Sequence, residues 1–319
     1  MAAPTRSADG TLTAPAPTAT FPVRVLPAVA AALAAGAPVV ALESSVLAQG
    51  LPIPSNRAAA EGMRRAVERA GALAAITAVV HGAPTLGLEP PELERFLARE
   101  GVRKVSSRDL GVAMVQGADG ATTVAASLCI AKAAGATVFS TGGIGGVHRG
   151  APFDESADLV ELARTPIVVV CAGAKSILDL AATLERLETL GVAVIGYRTD
   201  ELPGFFTRTT GLTLTARAES AEEVAAMHRA SLSLGRRQAT LVVQPIPEQI
   251  ALPQEEVDAA VSQAIDDAKR AGITGASTTP FLLSAVLRVT DGRSLLANLG
   301  LLEENAFLAG QIAVALGRS

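Results

Sequence analysis

Residues 165–180 read Thr165-Pro-Ile-Val-Val-Val-Cys-Ala-Gly-Ala-Lys175-Ser-Ile-Leu-Asp-Leu180, and a change of period inside this stretch decides the fold class. Residues 166–171 form a β-branched apolar run too short for a helix. Beyond Ala172 and Gly173, the residues Ile177, Leu178, Leu180, Leu184 and Leu187 recur at the spacing of a helix buried on one face. Lys175 therefore falls in the turn between a buried strand and its helix, where an open α/β sheet exposes its working groups. An amine among apolar neighbours and near the positive end of a helix dipole is expected to lose proton affinity and become a nucleophile toward carbonyl carbon. A solvated turn lysine is the alternative reading of the same position.

Working outward, the pattern predicts helices at 27–35, 57–70, 90–99 and 122–134, with strands at 38–42, 76–80, 102–105 and 137–140. Strands at 193–197, near 212–216 and at 239–244 follow, with a helix at 221–233. Three helical stretches close the chain, at 254–270, 280–289 and 294–316, the last with one expected break. Strands alternating with helices imply a three-layer α/β/α sandwich around a mainly parallel or mixed central sheet. An eight-unit barrel is the topological rival, and three final helices without a strand among them favour the sandwich. A single catalytic domain over 21–319 is expected, preceded by a disordered leader at 1–20 that is rich in Ala, Pro and Thr and lacks a secretion-signal pattern.

The chain has 319 residues, 49% hydrophobic and 18% charged, enough to bury a large core. A formal charge of -4 gives no electrostatic case for nucleic acid or for an anionic membrane. The apolar runs are expected to be broken by Gly, Pro or charge short of membrane-spanning length. Cys129 and Cys171 both fall in apolar segments, which suits reduced, buried thiols and a cytoplasmic location. Neither stands at zinc-site spacing from other ligands.

Three further constellations carry chemistry. Ser140-Thr-Gly-Gly-Ile-Gly-Gly-Val-His-Arg-Gly150 puts four glycines into five residues after a strand. Such backbone can approach an anion closely, with Arg149 as an added contact, or can form a tight turn at positive φ. The spacing matches neither the dinucleotide fingerprint nor a P-loop. His148 is equally readable as a structural donor or a pocket residue. In Phe153-Asp-Glu-Ser-Ala-Asp-Leu159, acidic residues at a helix start are explained by capping alone. Alternatively, Asp154 binds a hard divalent cation largely through water, while Ser156 and the first helical amides hold a phosphate. Finally, Glu43 ends a buried strand, where a carboxylate is costly unless paired or functional, and a general acid is one such function.

Taken together and in order, Ala41-Leu-Glu-Ser44, Lys104-Val-Ser-Ser-Arg-Asp-Leu110, Ala121-Thr-Thr-Val-Ala125, the glycine-rich stretch, Ser156-Ala-Asp-Leu159 and Cys171-Ala-Gly-Ala-Lys-Ser-Ile-Leu-Asp-Leu180 resemble the pseudouridine-5'-phosphate glycosidases, also called the indigoidine-synthase-A-like family. The likeness continues through Pro245-Ile-Pro-Glu248 and Thr279-Pro-Phe-Leu-Leu283 to Asn298 and Asn305. It implies a C-glycosidase that reversibly cleaves pseudouridine 5'-phosphate to uracil and ribose 5-phosphate. By position, the family's lysine nucleophile matches Lys175, its proton-donating glutamate Glu43 and its manganese ligand Asp154. Substrate contacts match Lys104, Val124 through its backbone, Ser156, Ala157 and Asp158, and His148 and Asn298 match the family's pocket histidine and asparagine. The resemblance also implies one Mn2+ ion, a lysine Schiff base with ring-opened ribose, and a homotrimer. Three departures stand out: a shorter segment between His148 and Asp154, Gln244 in place of an asparagine that would contact substrate, and His81-Gly-Ala-Pro84 in a commonly basic segment. Competing readings are a phosphosugar kinase or pyridoxal enzyme on a similar sandwich, and a non-catalytic phosphosugar-binding relative.

Overall fold

A computed structural model describes residues 22–150, 153–273 and 278–317. The leader expected at 1–20 lies outside them. Seven strands make the parallel body of the sheet, in the spatial order Leu73–Val80, Val39–Leu42, Val138–Ser140, Val168–Cys171, Thr240–Val243, Ala193–Tyr197, Ala216–Ala218. The strands Val39–Leu42, Val168–Cys171 and Thr240–Val243 are buried along their whole length, as a parallel sheet covered on both faces requires. At one edge the sheet turns mixed, because Ala83–Leu86 and Gly120–Thr122 run antiparallel to Leu73–Val80.

Two crossovers run in opposite directions. The helix Ser55–Arg69 carries the chain from Val39–Leu42 toward one edge, while Ala157–Leu162 carries it from Val138–Ser140 toward the other. Right-handed connections put such helices on opposite faces, which gives the three layers. The order reverses between Val39–Leu42 and Val138–Ser140, and the chain leaving both strands opens a crevice at their carboxyl ends. Most buried apolar residues from Val29 to Ala315 join in one core, and Ala48, Ala78, Val80, Phe96 and Ala121 form a second, small cluster.

The helix Arg293–Gly317 departs from expectation. It is unbroken over 25 residues and lies against Ser55–Arg69, Ala221–Ser233 and the central strands. Gly310 serves close packing within it, since a Cβ there would stand 2.6 Å from Cβ of Ala70 and 3.2 Å from the Val67 carbonyl. By length and composition this helix could cross a membrane, contrary to the expectation that every apolar run is too short. Buried Asn298, Asn305, Leu302 and Ile312 mark it as a helix of the protein core. The strand expected near 212–216 forms instead at Ala216–Ala218, and the strand at Leu73–Val80 is longer than its apolar end implied.

Candidate active site

Neighbouring strands end at one level: Leu42 pairs with Ser140, Ser140 with Val170, and Cys171 with Val243. Glu43, Thr141 and the turn leading to Lys175 thus leave the sheet side by side. Glu43 is buried, and both of its carboxylate oxygens are partnered: Thr141 Oγ1 donates to Oε1 at 2.5 Å and Ser45 Oγ donates to Oε2 at 2.8 Å. Hydroxyls both donate and accept, so this pair can serve the carboxylate and the carboxylic acid alike. Behind it, the Thr141 carbonyl accepts from Asn305 Nδ2 at 2.9 Å, and Asn305 Oδ1 accepts from Gln244 Nε2 at 2.9 Å. Gln244 therefore supports the site through Asn305 and does not line it, which corrects its expected place at the substrate.

Lys175 is held by its backbone: its N–H donates to the Ile144 carbonyl at 3.1 Å and its own carbonyl accepts from Leu178 at 3.0 Å. Gly173 has φ +89°, and a Cβ there would come within 2.4 Å of the Pro203 carbonyl, so this turn demands glycine. The following helix begins at Leu180, later than the apolar spacing implied, and Asp179 caps it by accepting from Ala182 N–H at 2.9 Å. The helix dipole acts on that cap and not on the amine, since its influence falls off within a turn. No hydrogen bond or ion pair engages the Lys175 side chain among the described residues.

The glycines of the 142–146 loop are not at positive φ. They permit contact instead: a Cβ on Gly143 would meet the Phe205 ring at 2.6 Å, one on Gly145 the Ser156 hydroxyl at 2.2 Å, and one on Gly146 the Thr183 hydroxyl at 2.3 Å. Neither expected reading fits fully, because Gly145 N–H donates to Asp158 Oδ2 at 2.8 Å and Ile144 N–H to the Gly173 carbonyl at 3.1 Å. Asp158 also accepts from Ala125 N–H at 2.9 Å, tying this loop to the first turn of Val124–Ala134. Arg149 donates to the carbonyls of Leu178 and Ser176, at 3.0 and 3.2 Å, and so braces the Lys175 turn where an anion contact was expected.

All ten residues singled out from the sequence line one cleft with two chambers. Glu43, Lys104 and Lys175 line both. Asn298 lines one chamber, termed the inner one, with Val46, Gln49, Phe205, Pro280 and Leu283. Val124, His148, Asp154, Ser156, Ala157 and Asp158 line the outer one, with Ser106 and Arg108. Lys104 touches solvent in the cleft, yet the surrounding walls push its ammonium below the ordinary lysine value, and nearby Lys175 adds to that push against Glu43 and Asp158.

Asp154 is half exposed, and its Oδ1 stands 3.2 Å from His148 Nδ1. Among the described residues no group of three or more His, Cys, Asp and Glu side chains converges on a metal position. One open carboxylate beside the polar chamber fits a hard divalent cation held mainly by water and substrate oxygens, and does not fit a fully protein-ligated metal. His81 is not among the residues that line the cleft and sits in the turn between Leu73–Val80 and Ala83–Leu86. No sequence motif pointed to Gln49 or Phe205; Phe205 takes φ +67°, and its ring packs on Gly143.

The family model described as Indigoidine synthase A like protein matches residues 28–315. The chain belongs to this family. It is 64% identical over 285 residues to a pseudouridine-5'-phosphate glycosidase of Gemmatimonas aurantiaca, covering 89% of this chain and 93% of the relative. A protein of the same name from Myxococcus xanthus is 51% identical over 90% of this chain and 96% of its own length. Among solved structures, the prealnumycin C-glycosynthase AlnA in complex with ribulose 5-phosphate matches with a TM-score of 0.86 and 38% identity, over 93% of this chain and 98% of that one. An indigoidine synthase A-like protein of Thermotoga maritima matches with a TM-score of 0.84 and 37% identity, over 89% and 94%.

Proposed function

We propose that this chain is a C-glycosidase acting on pseudouridine 5'-phosphate, releasing uracil and ribose 5-phosphate reversibly through a covalent adduct on Lys175. The observation that carries the reading is that Lys175 and Glu43, a nucleophile and a proton donor, line both adjoining chambers of one cleft. The names of relatives up to 64% identical support the substrate, and the ribulose 5-phosphate of the C-glycosynthase complex supports the sugar end.

The glycosidic atom of the base is carbon, with no lone pair for an acid to protonate, so the paired carboxylates of ordinary glycosidases have no purchase. Lys175 Nζ attacks the anomeric carbon while the bond to the ring oxygen breaks, and Glu43 gives that oxygen its proton. The attached nitrogen gives a proton to the Glu43 carboxylate, its freed lone pair forms the C=N bond of an iminium as the carbon–carbon bonding pair goes to uracil C5, and C5 takes up that proton from Glu43. Water adds to the iminium, and loss of the amine frees ribose 5-phosphate. The hydroxyls of Thr141 and Ser45 remain bonded to Glu43 in both its protonation states.

The phosphate belongs in the outer chamber, where Lys104, His148 and the turn at Ser156 and Ala157 face it, with backbone at Val124 nearby. Asp158 contributes by fixing that turn, since its oxygens are already engaged by Ala125 and Gly145. A manganese ion would be held by Asp154, its charge supplying further attraction for the phosphate. The working protein is proposed to be a cytoplasmic homotrimer, a location in keeping with its two free thiols.

Borohydride reduction in the presence of ribose 5-phosphate is expected to add the sugar phosphate to the peptide bearing Lys175. Lys175→Ala is expected to abolish both the adduct and turnover while substrate still binds. Full turnover by that variant would remove the mechanism.

A further inference from the structure

Two residues that line the inner chamber carry buried acceptors that nothing among the described residues satisfies. Oε1 of Gln49 and Oδ1 of Asn298 are both inaccessible to solvent and have no hydrogen-bond partner, and both residues line this chamber. Asn298 is more than nine-tenths buried. Gln49 lies in Val46–Gly50, a wide π-helical turn separated from Glu43 by two residues, and such turns are frequent at functional positions. Its Nε2 donates to the Val102 carbonyl at 3.4 Å, which leaves the oxygen end as the unmet one. Buried polar atoms are almost always paired, and an unmet acceptor costs free energy that a ligand recovers.

Val46, Phe205, Pro280 and Leu283 give this chamber an apolar side, facing the polar Glu43, Ser45, Lys104, Lys175 and Thr279. A flat, uncharged ring with N–H groups on its edge suits that combination, whereas the phosphate belongs in the other chamber. Uracil joined through C5 keeps both ring N–H donors, at N1 and N3; uracil joined through N1 keeps only one. Two unmet acceptors therefore match the C-linked base and leave one orphaned with the N-linked isomer.

We propose that Gln49, paired with Asn298, reads the N–H edge of the nucleobase and selects the C-linked isomer, each amide oxygen accepting from one ring nitrogen. This rests on the reading of the cleft as a pseudouridine 5'-phosphate site. A site built to bond a donor rejects the analogue that lacks it.

The test compares cleavage of pseudouridine 5'-phosphate with cleavage of its N1-methyl and N3-methyl analogues by the full-length protein. Each methyl is expected to lower kcat/KM roughly tenfold or more, the worth of one buried hydrogen bond left unmade. Gln49→Met, of similar length but without an acceptor carbonyl, is expected to raise KM for the parent and to bring the ratio for one of the two analogues close to unity, with an unchanged thermal midpoint. The base-reading role is overturned if the wild type cleaves both analogues like the parent, or if Gln49→Met leaves both ratios as they were. Failure of the wild type to cleave the parent would instead strike the activity itself, so the two failures are distinct.

Discussion

Lys104 shows how a single side chain can be legible in type and opaque in behaviour. Four of the 27 basic residues are lysines, and one beside a short strand stands out in the sequence. That the cleft walls around this exposed residue, together with Lys175, lower its proton affinity emerges only when both amines meet in the cleft. The sign follows: with a folded value below the unfolded 10.5, the protonated amine is disfavoured in the fold, so the cost is full at lower pH and fades as pH rises toward 10.5. If Lys104 holds the phosphate, KM is expected to rise on the alkaline side before the ordinary lysine range is reached. Lys104→Arg, which stays charged, is expected to push that rise to higher pH. Steady-state kinetics across the alkaline limb checks this, and a KM flat up to 10.5 would mean that another group holds the phosphate. Glu43 and Lys175 were legible because strand ends are marked by composition. The roles of Asp158 and Arg149 were not, since each acts on backbone groups far away in sequence.

At the scale of elements, buried strands were the clearest signal and short antiparallel ones the weakest. The hairpin joining Leu73–Val80 to Ala83–Leu86 turns on His81 and Gly82, with φ of +48° and +81°. That is the conformation favoured for two-residue hairpins, but histidine in its first place carries none of the usual Asn or Asp signature. The break expected in the last helix does not form, although Gly300 and Gly310 lie inside it and glycine is about 1 kcal/mol below alanine in helix propensity. In the fold, neighbours demand the missing Cβ. Gly310→Ala gains that propensity yet drives a methyl into Ala70 and the Val67 carbonyl, an overpacking worth about 1–3 kcal/mol. A net loss of stability is therefore expected in urea unfolding. Gly300→Ala meets only the Cδ1 tip of Ile250 closely, which can rotate aside, and is expected to cost less. Equal stability of the two variants would show that the contact at Gly310 does not limit packing.

The molecule as a whole decides how its thiols behave. Both are pushed up to about 12, in each case chiefly by burial, and Cys129 is further held by its hydrogen bond to Glu161. Cys171 lies in a central strand with no exposed surface, so a reagent reaches it only when the sheet opens. Under native conditions Cys171 is expected to be alkylated at the rate of global unfolding, and in denaturant at once. Time-resolved mass spectrometry with a maleimide would show it, and fast native labelling would place an opening motion in the sheet beside Lys175.

Residue order by itself determined the alternation of strand and helix, the parallel body of the sheet and the placing of Glu43 and Lys175 where strands end, because period, strand-end position and contiguous motifs are local properties. Only the tertiary structure decided that the cleft has two chambers, that the glycine loop is shaped by Phe205, Ser156 and Thr183, and that two amide oxygens are left without donors. Those facts depend on which distant side chains the strand order brings within bonding distance, and no local pattern encodes that distance.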